Sequence, residues 1–516
     1  MLLLTVVAIS LSSFQYGWAI GVVNAPQKIV MAWYNQTHYE RHQTPMKPSQ
    51  ITVLWAITVS IYNVSGLFGG LTSGYFCDKF GRKKTLLINN SITFLAAILL
   101  ITAKTASSFE MVIISRLLIG FNCGITSSAV SIYLAEISPV NIRGAMCSAH
   151  QVSLSFGILL SQIIGLPHAL GTDHGWPTLF GLNNYPMHYT FLNNNHHLAL
   201  SVIPAIMQLI ILPLLPESPR YLLIYRGKEK DAKKALYRLR NSKEIDDEIE
   251  QMKVEYEDQG RLPKVTWADM IKKQVYRKPL IIASETHISQ QLSGISAVMS
   301  YSTSLFLKAD LPYQSAIYAT IGLGVLYFLL CGLSSLVIER AGRRTLYLTG
   351  LGGMWFSSIF LTIMLVLGSK PDKSWASYLA ILFVFTYVGF CAIGPSVIAW
   401  FIATELFTQA ARPHGCSLSV CFNWLSSFIA VLLFPILLME LNNYVFLVFT
   451  VLLTLFWLYT YFYLPETQGR TSDELARLFM TPQEKSKIYQ FWKNYHFKKG
   501  NKNTPHLHDH DHKTHF

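Results

Sequence analysis

Two adjacent glutamines, Gln290 and Gln291, stand inside an apolar run that begins near Pro279. An amide in hydrocarbon costs free energy unless it is paired or turned toward a cavity. Other polar side chains share such runs: Gln15, Asn24, Gln162, Ser296 and Asn423, with the indoles Trp400 and Trp424 nearby. Almost all are neutral, and ionisable groups are scarce in the centres of the runs, which argues against an ion channel or a proton pump. Neutral amides suit a polyol. Each hydroxyl both donates and accepts, and an amide offers both functions in one plane. An indole adds an apolar face for the C–H side of a sugar ring and an N–H donor. The same amides can also act as hydrogen-bonded glue between helices. For Gln290 and Gln291 together, Gly294 follows closely and invites a helix break at a binding site.

Helical spacing places Gln290, Gly294, Ala297 and Tyr301 on one face. Ser296 lies about 120° from Gln290 on a straight helix, and joins the same site if the helix bends near Gly294. Gly394-Pro395, just before Trp400, signals a second break. Two interrupted spans point to a binding site at the membrane midplane. His287 has no nucleophile or metal partner at motif spacing, so no enzyme constellation, metal site or cofactor is expected.

The elements that must position these groups are apolar runs. The chain has 516 residues, 51% of them hydrophobic and 14% charged. Roughly twelve runs reach the length of about 20 that spans a bilayer. They begin near residues 2, 52, 85, 111, 144, 198, 279, 313, 345, 376, 413 and 443. The first is read as a span, since it outruns a signal peptide. The net charge of +13 is not that of a nucleic-acid binder. Lys and Arg gather in DKFGRKK (78–84), in 220–278 and after Arg470, whereas 167–197 has none. This alternation is the positive-inside pattern; it places the basic loops and both termini in the cytoplasm, facing lipid headgroups. The seven cysteines lie in or beside spans, so no structural disulfide is expected. Asn35-Gln36-Thr37 is a glycosylation sequon in an expected outer loop. The His-rich end, 506–516, reads as a disordered polar tail.

Three charged motifs each occur twice, in the same order. Asp78-Lys-Phe-Gly-Arg82-Lys is matched by Glu339-Arg-Ala-Gly-Arg343-Arg. Glu136 and Arg143 stand seven residues apart, as do Glu405 and Arg412. LPESPR, with Glu217 and Arg220, is matched by LPETQGR. Three motifs in register imply two six-span halves inserted in the same orientation. The charges are expected to form inner ion pairs that tie the halves together in one conformation and release in another. The organisation reads as an N-terminal bundle (1–216), amphipathic linker helices (217–278), a C-terminal bundle (279–464) and a tail (465–516).

These residues carry a resemblance. FQYGWAIGVVNAPQ (14–27), DKFGRKK, YLAEISPVNIRGA, PESPRYLL, QQLSG, ERAGRRTL, AWFIATELF and PETQGR together resemble the sugar porters of the major facilitator superfamily, specifically the animal facilitative hexose transporters. The resemblance covers nearly the whole chain. It implies an all-α membrane protein with the major facilitator fold: twelve transmembrane helices in two pseudo-symmetric six-helix bundles plus cytoplasmic helices, a central sugar site and alternating access. By resemblance, Gln162, Gln290, Gln291, Trp400 and Asn423 contact sugar, with Ser296 where the family usually has Asn. Tyr301 belongs to an outer gate, with Gly394 and Pro395 at the second break. Asp78, Arg82, Glu136, Arg143, Glu339, Arg343, Glu405 and Arg412 form the inner charge network. Proton-coupled relatives carry an Asp where this chain has Ala19, which favours passive uniport. Tyr327 stands where the eighth span commonly offers an Asn, and His287-Ile-Ser where glucose-preferring members often have Gln-Leu-Ser. The implied partners are a hexose, glucose foremost, and the lipid bilayer; the functional unit is expected to be a monomer. A proton–sugar symporter, a fructose-preferring facilitator and a non-transporting sugar sensor are the alternatives.

Overall fold

The computed structural model describes residues 1–24, 26–139, 142–166, 202–242, 245–261, 265–309, 311–370, 373–408, 411–470 and 472–480. The expected long loop at 167–197 and the His-rich tail lie outside the described residues. The N-terminal half comprises α1 (Leu2–Gly21), α2 (Gln27–His42), α3 (Pro48–Phe80), α4 (Arg82–Thr105), α5 (Phe109–Ile137), α6 (Arg143–Ile164) and α7 (Ile203–Ile211). Three helices link the halves: α8 (Glu229–Arg240), α9 (Asp246–Arg261) and α10 (Trp267–Lys272). The C-terminal half comprises α11 (Gln274–Leu292), α12 (Ile295–Lys308), α13 (Tyr313–Ala341), α14 (Arg343–Gly368), α15 (Ser374–Ile393), α16 (Pro395–Leu406), α17 (Arg412–Glu440) and α18 (Val445–Tyr463); α19 (Ser472–Phe479) follows.

Among the described residues, ten helical stretches are long and apolar enough to cross a membrane. The other two expected spans are not among these ten. The sixth is described only from its later part, as the apolar stretch Ile203–Leu214. The seventh is divided: Gly294 takes φ +96°, a left-handed conformation, and separates α11 from α12. A side chain there would be strained and would stand 2.9 Å from the ring of Phe449. The tenth span breaks at Gly394 (φ −111°, ψ −89°), and Pro395 opens α16 in the first helical position, where its missing N–H costs nothing.

Within the N-terminal half, α1 packs on α6 and α3 on α5; in the other half, α14 packs on α15. The halves meet along two seams, α3 against α17 and α6 against α13. None of the three linker helices is among the stretches long and apolar enough to cross a membrane. Ala232, Leu236, Ile245, Ile249 and Met252 form their own small core. Glu229 and Asp231 open α8 and Arg238 and Arg240 close it, an order that suits the helix dipole.

The sequence repeat is a structural repeat. Gly81 and Gly342, with φ +95° and +81°, precede α4 and α14. A Cβ at either would lie 2.6 Å from Glu217 Oε2 or 2.7 Å from Glu466 Oε2. Bare glycine lets each carboxylate cap the following helix: Glu217 accepts from the Lys83 N–H at 3.1 Å, and Glu466 from the Arg343 N–H at 2.9 Å. Burial pushes the Glu217 carboxyl up from its ordinary range, while the N–H groups of Ser218 and Lys83 pull against that shift.

The sequon does not lie in a loop. Asn35 is on α2, where its Oδ1 accepts the Met46 N–H at 2.8 Å, and Thr37 is buried.

Candidate functional site

A cavity lies between the halves, with about 70 Å³ open to the centre of a water-sized sphere. A single water needs roughly 10–15 Å³ on that measure, so the space has room for more than one or two waters. Gln290, Gln291, Ser296 and Trp400 line it. The break at Gly294 brings Ser296 round to the glutamines, and its hydroxyl donates to Gln291 Oε1.

Asn423 stands behind the glutamines rather than in the cavity lining. Its Nδ2 donates to Gln290 Oε1 at 2.8 Å and to His287 Nδ1 at 3.1 Å, and its Oδ1 accepts from Gln291 Nε2 at 3.1 Å. Every polar function of that amide is used inside the protein, so Asn423 aims the two glutamines. Because His287 Nδ1 accepts, its proton sits on Nε2. The Trp400 ring is held between two imidazoles at steep angles, His287 at 5.3 Å and His150 at 5.8 Å between centroids.

Gln162 is buried on α6, outside the lining of this cavity, and its Oε1 points at the bare Cα of Gly324. Among the described residues, both of its amide atoms lack a hydrogen-bond partner. Tyr301 lies at a kink in α12 (φ −126°, ψ 19°), stacked on Phe434 at 5.9 Å, and its hydroxyl has no partner among the described residues.

The sequence reading misses several residues of the lining: Tyr16, Tyr62, Asn63, Arg116, Gln151 and, as a wall of the site, Tyr327. Gln151 donates to the Tyr327 hydroxyl at 3.1 Å, and that hydroxyl donates to Ser396 at 3.0 Å. The signal was available, since each is a polar group within an apolar run. The expectation of few ionisable groups in the spans overlooks the buried Arg116 and the partly covered Glu285.

Part of the inner charge cluster is described. Arg82 meets Glu136 at 2.7 Å and Asp78 at 3.4 Å, and the Ser218 hydroxyl donates to Glu136. In the other half, Arg343 meets Glu405 at 3.2 Å and the Thr467 hydroxyl donates to Glu405. These described pairs lie within one half each and clamp the ends of its own helices. Among the described residues, the partners in these pairs belong to the same bundle. Glu217 caps α4, Arg220 is half-buried beside it, and Arg412 donates weakly to the Phe407 carbonyl at 3.4 Å. The side chains of Arg143 and Glu339 lie outside the described residues.

At the opposite end the halves are joined directly. Asn24 Nδ2, at the end of α1, donates to the Met299 carbonyl at 2.6 Å, and the Ser302 hydroxyl donates to Asn24 Oδ1 at 3.2 Å. Ser304 donates to Gln27 Oε1 at 3.0 Å. These bonds form a latch between the segment after α1 and α12.

Comparison with known proteins places these features in context. A family model described as Sugar (and other) transporter matches residues 4–479. The chain is 42% identical over 478 residues to the solute carrier family 2, facilitated glucose transporter member 1 of Gallus gallus, covering 93% of each chain. It is 42% identical over 470 residues to member 3 of the same family from Ovis aries, covering 91% of each. Among solved structures, the major facilitator superfamily proton:xylose symporter XylE bound to 6-bromo-6-deoxy-D-glucose superposes with a TM-score of 0.75 at 22% identity, covering 93% of this chain and 99% of the other. That likeness establishes the fold: twelve membrane helices in two six-helix bundles.

Proposed function

We propose, from the premise that this chain belongs to the sugar transporter family, that it carries a hexose, D-glucose foremost, passively across the plasma membrane by alternating access. The observation that carries this reading is the cavity between the halves, where Gln290, Gln291 and Ser296 turn polar groups inward beside the Trp400 ring. The printed function of the relatives, facilitated glucose transport, supports it. Ala19 at the first span withholds a carboxylate there, which favours uniport over proton coupling.

In this reading Gln290, Gln291, Ser296 and Trp400 contact sugar directly, Asn423 orients the glutamines, and the unpartnered amide of Gln162 meets a hydroxyl as the sugar enters. The latch of Asn24 with α12, Tyr301 and the breaks at Gly294 and Gly394-Pro395 gate the two sides. The intramolecular clamps around Glu136 and Glu405 keep each bundle rigid while one rocks on the other. Bundles at 1–216 and 279–464, linker helices at 217–278 and a tail at 465–516, with the termini and linker cytoplasmic, follow from the positive-inside pattern. The working unit is one chain in its bilayer, and Asn35 carries a glycan added before α2 is fully packed.

The test is uptake of labelled glucose into cells lacking hexose transporters, with Gln290→Ala as the control. Entry no faster than in the control sinks the proposal. Accumulation against a gradient that collapses with an uncoupler favours the symporter. Ser296 and His287 supply a specific ground for a fructose-preferring facilitator, and competition of glucose uptake by fructose, galactose and mannose separates that reading from the first.

A further inference from the structure

The two described cavities share one full charge. Arg116, on α5, is 1% exposed and lines both the main cavity and a smaller one bounded by Gln15, Trp18, Ala19, Thr93 and Asn122. The smaller space offers about 30 Å³ to the centre of a water-sized sphere, enough for about two or three waters or a small ion.

A guanidinium carries five N–H donors and keeps its charge. Arg116 commits one described bond, from Nη1 to the Ala19 carbonyl at 2.7 Å. Its Nε is buried with no partner among the described residues, and the Tyr62 ring faces the guanidinium carbon at 4.8 Å. No Asp or Glu appears among the described residues lining either cavity. The neutral groups around it are spent on one another: Asn122 on the Asn89 carbonyl and Thr93, Thr93 on Gln15, and Gln15 on Asn90. A buried charge is ordinarily paired. Here position 19, whose side chain borders the smaller cavity, is alanine and supplies only its carbonyl.

We propose that Arg116 is an anion site at the junction of the two cavities. It takes the carboxylate of a hexose-sized sugar acid held in the main cavity, or a small inorganic anion such as chloride in the smaller one. Either restores neutrality and accepts the idle N–H groups in a water-poor setting, where a charge-assisted bond is strongest. The sugar-acid form rests on the reading of the main cavity as a sugar site.

The purified full-length protein is titrated in detergent with sodium D-glucuronate, sodium chloride and D-glucose, with sodium isethionate holding ionic strength constant, and thermal unfolding is followed. The expected result is stabilisation by glucuronate or chloride beyond that of isethionate. Ala19→Asp places a carboxylate beside the guanidinium while keeping the arginine, and weakens that response roughly tenfold. Arg116→Gln, if it folds, does the same. In proteoliposomes, entry of labelled glucuronate that competes with glucose assigns the sugar acid; chloride-dependent glucose entry without glucuronate entry assigns the inorganic anion. No response to either anion in the parent chain, or an undiminished response in Ala19→Asp, overturns the proposal. Stabilisation by glucose without any anion effect removes this site and leaves the sugar reading intact; an anion effect without any glucose effect does the reverse.

Discussion

The indole of Trp424, on α17, lies flat against the bare Cα of Gly66, on α3. A Cβ built at Gly66 would stand 2.4 Å from Trp424 Cε3, closer than packed carbons approach. This seam joins the two bundles, and the indole also stacks on Tyr16 at 5.4 Å. Gly66→Ala therefore forces the ring or the seam to move. Overpacking of this kind costs about 1–3 kcal/mol. The expected outcome is a lower thermal midpoint in detergent together with slower glucose uptake. A variant equal to the parent in both would show that the seam opens freely.

Gln290 and Asn423 should act as one unit in transport. Asn423 donates to Gln290 at 2.8 Å and is itself fully bonded. Removing either leaves the other misaimed, so the double variant loses less than the sum of the single losses. A coupling of about 0.5–3 kcal/mol is expected from groups in one hydrogen-bond network. It is read from uptake efficiency across Gln290→Ala, Asn423→Ala and the pair. Strict additivity would place Asn423 in an independent role.

Glu405 clamps its own half by accepting from Arg343 and Thr467. Glu405→Gln keeps the shape and removes the charge. Maximal transport rate is expected to fall severalfold, with half-saturation by glucose little changed, because the clamp is remote from the cavity. Glu136→Gln, its counterpart beside Arg82, should behave alike. A large change in apparent affinity with an intact rate would mean that these carboxylates act at the sugar site.

Asn24 holds α12 by two hydrogen bonds. Each is worth roughly 0.5–1.5 kcal/mol net, so Asn24→Ala shifts the population toward the form open on that side. A cysteine placed at Ser300, which lines the cavity, should then react faster with a membrane-impermeant thiol reagent added from that side. Labelling no faster than with Asn24 intact would assign the closure to other contacts.

Much of this arrangement was legible in the sequence, for reasons that differ by residue. Apolar runs of bilayer length and the three duplicated charge motifs disclose the spans and the halves, because lipid permits few other solutions. Gly294 and Gly394-Pro395 disclose both breaks, because backbone chemistry there is local. The roles of Asn423 and Arg116 were not legible. Whether an amide faces a cavity or supports a neighbour depends on partners more than a hundred positions away, as with Asn423 and Gln290. The partners of Glu405 were hidden for a related reason: a charge repeated in each half says that a device is duplicated, and leaves open whether it joins the copies. Asn35 reads as a loop residue from its motif, yet α2 absorbs it, with Thr37 buried against the bundle.

The segment Ile295–Lys308 has a consequence for how occupancy is communicated. Ser296, Met299 and Ser300 face the cavity, while the Met299 carbonyl and the Ser302 hydroxyl form the latch with Asn24. From Ser296 to Ser302 is about 9 Å along a helix. Cavity wall and latch thus share one short segment that starts at the Gly294 break and bends at Tyr301, and a link between them needs no relay through the rest of the molecule.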